Sequence, residues 1–510
     1  MGSKGISPLI ASVFVILFGV TILAISLGVI NPTFRRAKDT AIVNDAFHTL
    51  ETLNTAIKEV ASEPDGSRRV VPITVSEGTL RVSTTYDWLY FDYEPMETMD
   101  ISGTKGDIRI VRGLEFADWF NYYADGSIAT PTWTNTSGQA TISSGAYSIT
   151  NGTSYHNVSG PLENWKFSAT ISNVTGSTGG QVFALPVNPE SLVLYLPMDE
   201  AAGSDTAYDY SGSINNGTLT SMATGGGDAL SGWQSSADCK AGTSCLVFDG
   251  GNDYVNSRNS SSLNPTSAIT ISCWFKLNTL PGGASGTVRT CVSRGSEGLN
   301  HLYWLGVWNL SNTYYAFWEF GNGTHRTYTS GVDATFIPVI DQWYHLASTY
   351  DSSTGAGKVY LDGALKKAVY PNFTQLGTNT YNTLIGRYSA SAGHYMNGTI
   401  DEVMIFNRSL TDGEIKALYE TSTKKLLATG TQTVTTKTNV SIVLANPVGQ
   451  TKFDDVTVTR DRNELKMVIP YSNVDLNGTL RLSKGEHKVQ IRHMATNATT
   501  DRPIVELTAA

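Results

Sequence analysis

Three rhythms of apolar and polar positions divide the chain. From Ile6 to Phe34 no charged residue occurs. A run of about 20 helical residues crosses the ~30 Å hydrocarbon core of a bilayer, so this stretch is long enough to span one. In the following segment Val43, Phe47, Leu50, Ile57 and Val60 recur at three- and four-residue steps. That spacing lays one apolar stripe along a helix. Pro64-Asp65-Gly66 is a helix stop, so residues 6–64 are predicted as one helix, apolar in its first half and amphipathic in its second.

Beyond Gly66 the period shortens to two. "RRVVPITVSEGTLRVSTTYDWLYFDYEP" holds three short β-prone runs, and "NELKMVIPYSNVDLNGTLRLSKGEHKVQIRHM" near the other end has the same character, with turns at Asn477-Gly478 and Lys484-Gly485. Residues 67–111 and 460–510 are predicted to pair into one β head domain, with everything between them inserted. In the middle, Ile269, Ile271, Cys273 and Phe275 alternate with Thr270, Ser272, Trp274 and Lys276, the pattern of a half-buried strand. "HLYWLGVWNLSNTYYAFWEFGNG" reads as a hairpin. Trp304 and Trp308 share one face by parity, as do Tyr314 and Trp318 across the turn. The expected class is mainly β: an N-terminal helix followed by β-sandwich domains, nested by insertion.

Composition narrows the partners. Charged residues make up 16% of the 510, Gly numbers 48 and the net charge is -9. Without a basic patch, that argues against nucleic acid. Cys239, Cys245, Cys273 and Cys291 fall within 53 residues with no CxxC spacing and no His cluster, which reads as two disulfides of an exported protein. Three pairings are possible; Cys239–Cys245 with Cys273–Cys291 closes the shortest loops. Fourteen N-x-S/T sequons, from Asn135 to Asn497, all follow the apolar segment. Such acceptors make sense on a translocated face and predict a glycoprotein.

The start of the chain resembles a known signal. Lys4-Gly5 immediately precedes the apolar run, and "KGISPLIASV" is similar to the class III signal of archaeal type IV pilins and archaellins. The resemblance implies a leader of residues 1–5, cleavage between Gly5 and Ile6, and an apolar helix kept on the mature protein. Ile10 stands where many such proteins carry Glu. Only Lys4 precedes the span, whereas Arg35, Arg36 and Lys38 follow it; the positive-inside bias alone favours the reverse topology. Sequons and cysteines favour an extracellular bulk. The expected location is the cell membrane, crossed once, with self-assembly into a surface filament as the pilin-like extension and a simple anchored protein as the alternative.

Residues 190–425 resemble the laminin-G-like branch of the concanavalin A-like jelly rolls. The blocks that carry this are "LVLYLPMDEAAGSDTAYDYSGSINNGTL", "CLVFDGGNDYVNS", "AITISCWFKL", "QWYHLASTYD", "GKVYLDGALKKAV" and "NTLIGRYSASAGHYMNGTIDEVMIFNRSLTDGEIKALYE". The resemblance implies two antiparallel sheets face to face, and calcium as in many members. Asp199-Glu200 and Asp401-Glu402 would lie on neighbouring strands and repel unless a hard cation or hydrogen bonds intervene. Asp199, Asp209, Asn215 and Asp401 are therefore the candidate calcium ligands, the alternative being carboxylates that cap turns. Trp304, Trp308, Tyr314 and Trp318 are the candidate sugar platform, since flat rings suit the apolar faces of sugars; the alternative is ordinary core packing. "FDDV" near Val456 resembles the last strand of galactose-binding-like modules, so 112–189 with 426–459 are expected to form a further sandwich. No catalytic motif appears, and "TIDEVMIF" offers only adjacent carboxylates on opposite faces. The expected function is carbohydrate binding or adhesion by an anchored, pilin-like surface protein, and the chain is expected not to be an enzyme; a purely structural filament or cell-envelope subunit is the alternative, with an anchored glycosidase as a weaker third reading.

Overall fold

The structure is a computed structural model. It describes residues 8–84, 87–96, 99, 103–112, 114–119, 134–143, 146–158, 165–175, 181–200, 202–224, 231–282, 287–296, 301–328, 334–371, 373–388, 394–420, 425–427, 430–436, 440–460 and 464–510. In several of these segments, among them 8–32, 114–119, 134–148, 165–175 and 425–436, only the backbone is described. The chain divides into two compact units, residues 1–124 with 457–510, and residues 125–456.

The first unit is a helix on a sheet. Helix α1 runs unbroken over Pro8–Ala61, and at 1.5 Å per residue that is about 80 Å of helix. Gly66, at φ 90°, turns the chain into the first strand, and its N–H is received by the His493 carbonyl at 2.9 Å. The sheet has eight strands in the spatial order Gly103–Lys105, Ile108–Arg112, Leu465–Pro470, Trp88–Tyr93, Arg68–Ser83, Arg481–Thr496, Pro503–Ala509 and Asp475–Asn477. Both ends of the chain thus contribute to one sheet. The two longest strands, Arg68–Ser83 and Arg481–Thr496, pair antiparallel, with a bulge between Val75 and Thr79.

The helical stripe meets the strand alternation in one core. Phe47, Leu50, Leu53, Ile57 and Val60 pack with Ile73, Val75, Leu89, Phe91, Met467, Ile469, Val489, Ile491 and Leu507. The residues are apolar at steps of three or four on the helix and two on the strands, so each element buries one face and leaves the other polar. Inside this core Asn54 is satisfied at both ends. Its Nδ2 donates to Asp107 at 2.8 Å and its Oδ1 accepts from Tyr471 at 2.9 Å.

Among the described residues no helix is long and apolar enough to cross a membrane. The Gly5–Ile6 junction and the side chains of the apolar run up to Pro32 lie outside the described residues.

The second unit contains a jelly roll of two eight-stranded sheets. Its back sheet runs Gly232–Ser235, Ser244–Asp249, Asn397–Phe406, Ala268–Leu277, Trp343–Asp351, Ala356–Leu361 and Ala364–Val369, with Leu192–Leu196 also pairing to Asn397–Phe406. Its front sheet runs Thr206–Ala207, Gly217–Thr220, Tyr254–Asn256, Thr383–Ile385, Thr287–Gly295, His301–Leu310, Thr313–Gly321 and Arg326–Tyr328. Every pairing in both sheets is antiparallel. The core between them is apolar: Ile269, Ile271, Phe275 and Ile405 from the back face Val292, Leu305, Val307 and Trp318 from the front. A short helix α2, Asp412–Glu420, closes the back sheet through Ile415 and Leu418. Thr411 caps it, accepting the Glu414 N–H on its hydroxyl at 3.2 Å while its own N–H reaches Glu414 Oε2 at 2.9 Å. That reciprocal pair is a capping box.

A further antiparallel group includes Ala146–Val158, Gln181–Leu185 and Val440–Arg460, the last belonging to this unit up to Val456. Tyr155, Phe183, Leu185, Val443 and Ala445 from it join Tyr195, Tyr360, Met404 and Phe406 of the back sheet in one apolar cluster.

Candidate functional site

The hairpin that carries the tryptophans turns at Ser311-Asn312, which have φ of 53° and 62°. Two successive left-handed residues are the signature of a two-residue type I′ turn. That turn fixes the register: Trp308 opposes Tyr315, Gly306 opposes Phe317 and Trp304 opposes Glu319. Trp304 and Trp308 therefore share the outer face of the front sheet with Tyr315, Phe317 and Glu319. Tyr314 and Trp318 share the other face, which looks into the core. Trp318 is 0% exposed, and its ring leaves no room for a Cβ on Gly357 of the back sheet. The expectation that the four aromatics form one platform is corrected accordingly. Tyr314 and Trp318 belong to the inner face because directly opposed residues in an antiparallel pair project to the same side.

Trp304 is itself covered. Tyr388 stacks on it with ring centroids 4.1 Å apart and planes 16° apart, His394 meets it edge-on at 5.2 Å, and its indole N–H donates to Thr290 at 3.0 Å. Tyr388 and His301 are hydrogen-bonded through Oη and Nε2 at 2.7 Å. The other nitrogen of His301 lies 3.7 Å from Glu319, and Glu319 receives Arg326 at 3.3 Å. Burial pushes Glu319 up to about 7 against the opposing charge of Arg326. Burial, with Arg326 adding to it, pushes His301 down to about 4. Trp304 is thus a buried wedge in a hydrogen-bonded aromatic group.

Trp308 is the one of the four that lies half-buried on the outer face. Tyr315 tilts against it at 5.6 Å, and Tyr328, 43% exposed, meets it edge-on at 5.9 Å. Arg326, two residues before Tyr328, keeps its side chain 42% exposed. Trp308, Tyr315, Tyr328 and Arg326 form a partly open aromatic edge with one cation. Tyr315, Tyr328, Arg326 and Glu319 are absent from the sequence expectation; the turn at Ser311-Asn312 was the signal that identifies the first and last of them.

The back sheet carries a second aromatic group. Trp274 stacks with Tyr419 of α2 at 5.6 Å, and the Lys240 ammonium sits 3.7 Å over its ring. Lys240 and Tyr419 cover Trp274, which is buried, while Tyr419 is half-buried.

The four expected calcium ligands are engaged otherwise. Asp209 Oδ1 accepts the N–H of Tyr195 and of Ser211, at 2.8 and 2.9 Å, and its Oδ2 accepts Asn215 N–H at 2.8 Å and the Ser211 hydroxyl at 2.9 Å. Asn215 donates its amide to the Val193 carbonyl at 2.7 Å. Asp199 receives the N–H of Thr243 and Ser244, and Asp401 those of Lys240 and Ala241. Among the described residues no group of three or more His, Cys, Asp or Glu converges on a common point. Backbone N–H groups thus hold carboxylate oxygens of Asp199, Asp209 and Asp401. All four acids of the two pairs are buried. Burial pushes Glu200 up to about 8 and Asp401, beside Glu402, well above the ordinary range.

The loop gripped by Asp199 and Asp401 is closed by a disulfide between Cys239 and Cys245. Cys273 and Cys291 are free and buried. The expected second bridge is not formed; the two thiols, one from each sheet, lie in the same apolar core instead, and burial, with Cys273 beside it, raises that of Cys291.

Residues 249–416 match the family described as the Concanavalin A-like lectin/glucanases superfamily, so the jelly roll in the middle of the chain is similar to the concanavalin A-like domains. Three solved structures illustrate its likenesses. Domain 4 of AbnA, a GH43 extracellular arabinanase from Geobacillus stearothermophilus, in complex with arabinotriose, is 20% identical at a TM-score of 0.31, over 45% of this chain and 98% of that one. The binding domain of Paraclostridial Mosquitocidal Protein 1 is 17% identical at 0.34, over 46% and 53%. The ligand-binding domain of botulinum neurotoxin serotype D, in complex with N-acetylneuraminic acid, is 14% identical at 0.33, over 46% and 51%. This chain spans about half the length of the latter two. Likeness at these scores supports no statement about ligands. No curated protein matches the chain.

Proposed function

We propose that the protein binds carbohydrate on the outer face of the front sheet, at the edge formed by Trp308, Tyr315 and Tyr328 with Arg326 beside them. The observation that carries this reading is the exposure of that edge: Tyr328 is 43% exposed and braced edge-on against Trp308. An aromatic held in place by its neighbours loses little freedom on receiving a sugar ring, and an adjacent guanidinium supplies hydrogen bonds to hydroxyl or acidic groups. The jelly-roll family includes lectins and glucanases. Binding is favoured over hydrolysis because glycosidases place two carboxylates across a bond. Here Glu319 is buried under Arg326, and Asp401 accepts backbone N–H groups in the interior.

In this reading the apolar sequence from Ile6 to Phe34 anchors the chain in a membrane and the jelly roll lies outside; the sequons and the Cys239–Cys245 bridge support the second part. In the pilin-like form of this reading the leader is cut between Gly5 and Ile6 and the helices assemble into a filament. The sequence pattern supports it: an uncharged run from Ile6 to Phe34 precedes the amphipathic stretch of the same helix. Calcium is not part of the proposal.

The test is binding of the full chain, in detergent, to a glycan array. The expected result is selective binding that is lost in Trp308→Ala and in Tyr328→Ala while both variants still unfold cooperatively, with only a small loss of stability. No binding to any glycan, or binding kept by the double variant, overturns it. Sequencing the mature amino terminus separates a cut at Ile6 from an uncut anchor.

A further inference from the structure

The sequons differ sharply in what their asparagine side chains are doing. Attachment of a glycan uses Nδ2 of asparagine, so that nitrogen must face open space and be free of other duties. In Asn309, which is 1% exposed, Nδ2 donates to the carbonyls of Pro281 and Gly282 at 2.9 and 3.1 Å. Asn397 donates Nδ2 to the Asp249 carbonyl at 2.7 Å. Asn497 donates Nδ2 to Asp475 at 2.5 Å. Each of these amides ties a turn or strand end to its neighbour.

Five others are arranged in the opposite sense. Asn216, half-buried, and Asn259, exposed, accept on Oδ1 from the Asp209 N–H at 2.8 Å and from Arg294. Asn322 uses only its carbonyl oxygen, accepting the N–H of Thr324 and His325 at 3.0 and 2.7 Å and the Thr324 hydroxyl at 3.0 Å. Its sequon neighbour Gly323 has nothing within 4 Å of a built Cβ. Asn477 is exposed and accepts the Gly478 N–H on Oδ1 at 2.8 Å. Asn407 is exposed where the strand Asn397–Phe406 ends. Among the described residues Nδ2 of these five has no hydrogen-bond partner.

We infer that Asn322, Asn407 and Asn477 are among the acceptors that carry N-linked glycans on the folded protein, and that Asn309, Asn397 and Asn497 are sequons in letter only. The inference rests on the exported reading given above. The donor is an oligosaccharide linked through phosphate to a polyprenyl lipid. Nδ2 bonds to C1 of the first sugar, the bond from C1 to the phosphate oxygen breaks, the polyprenyl phosphate leaves with the electron pair, and one amide proton passes to a base of the transferase. The product keeps one N–H and the carbonyl, so the carbonyl hydrogen bonds of Asn322 and Asn477 survive modification. The same step at Asn309 would put a sugar where the Pro281 and Gly282 carbonyls lie.

Glycopeptide mass spectrometry of the full chain from cells that naturally make it tests this, with the redox state of Cys239 and Cys245 read from the same digest. The expected result is glycan mass on the peptides of Asn322, Asn407 and Asn477 and none on those of Asn309, Asn397 and Asn497. Each Asn→Gln variant at an acceptor removes one glycan, and Thr324→Ala removes the glycan from Asn322 while leaving the asparagine in place. Glycan on Asn309, Asn397 or Asn497 of folded protein overturns the inference. So do three bare acceptors on a chain whose Cys239–Cys245 bridge has formed, an outcome that leaves export standing. Bare acceptors together with reduced Cys239 and Cys245 remove both.

Discussion

Tyr388 lies flat on Trp304, at 4.1 Å between ring centres and 16° between planes. A tryptophan so covered cannot offer the same face to a sugar. Replacing it opens a cavity and strands Thr290, which holds its indole N–H. Trp304→Ala is expected to cost about 3–5 kcal/mol of stability. Trp308→Ala, at a half-buried position, is expected to cost much less and to remove glycan binding. Denaturant titration beside array binding separates the two: equal stability losses with equal binding losses would dissolve the distinction between wedge and platform.

The same hairpin shows what a sequence discloses and what it withholds. Parity within one strand suffices to put Trp304 and Trp308 on a common face. Parity across a turn needs the turn's own geometry, and only with Ser311-Asn312 as the two central residues do Tyr315 and Glu319, not Tyr314 and Trp318, face Trp308 and Trp304. The mainly β character and the jelly roll were legible because alternation and block order are local properties of the text. The fate of Asp199, Asp209 and Asp401 was not, because their partners are backbone N–H groups as distant in sequence as Lys240 is from Asp401. Composition carries no trace of such bonds.

Trp318 provides a check on that face assignment. Its ring rests against the backbone of Gly357, so Gly357→Ala forces overpacking and is expected to cost about 1–3 kcal/mol. Trp318→Ala is expected to cost about 3–5 kcal/mol. Tyr314, half-buried near the hairpin end, tolerates Ala far better. Thermal unfolding of the three variants decides it; a Trp318→Ala protein as stable as the parent would move that ring out of the core.

The cysteines divide into a bridge and a thiol pair. Cys239–Cys245 closes a loop of six residues' separation, for which chain entropy gives about 2 kcal/mol. The loop also delivers the Lys240 and Ala241 N–H groups to Asp401, so Cys239→Ser with Cys245→Ser is expected to lower stability by more than the loop term alone. Cys273 and Cys291 are both fully buried, and thiolate formation there is opposed by burial, so a thiol reagent is expected to label them only on unfolding. Rapid labelling of native protein would contradict the burial of that pair.

Because hydrogen bonds occupy the acids, a chelator is expected to leave the unfolding temperature of the jelly roll unchanged, and added calcium to raise it by less than about 1 °C. Differential scanning calorimetry reads this directly. A large calcium-dependent rise would mean that Asp199, Asp209 or Asp401 exchanges its N–H partners for the ion.

The buried Glu319 and His301 make opposite demands on pH. Glu319 is raised from an ordinary 4.5 to about 7, so its protonated form is favoured in the fold. Its contribution is complete below pH 4.5 and is lost as the pH climbs through 7. His301 is lowered from 6.5 to about 4; its contribution is complete above pH 6.5 and is lost as the pH falls through 4. Between 4.5 and 6.5 the two trends offset one another, each at up to about 1.4 kcal/mol per pH unit. Glu319→Gln removes one of them. Its stability relative to the parent is therefore expected to rise steadily between pH 4.5 and 7 and to level off on either side. Denaturant unfolding of the pair across that range gives the curve. A flat difference would mean that Glu319 is already ionised in the fold, with Arg326 holding it as a full ion pair.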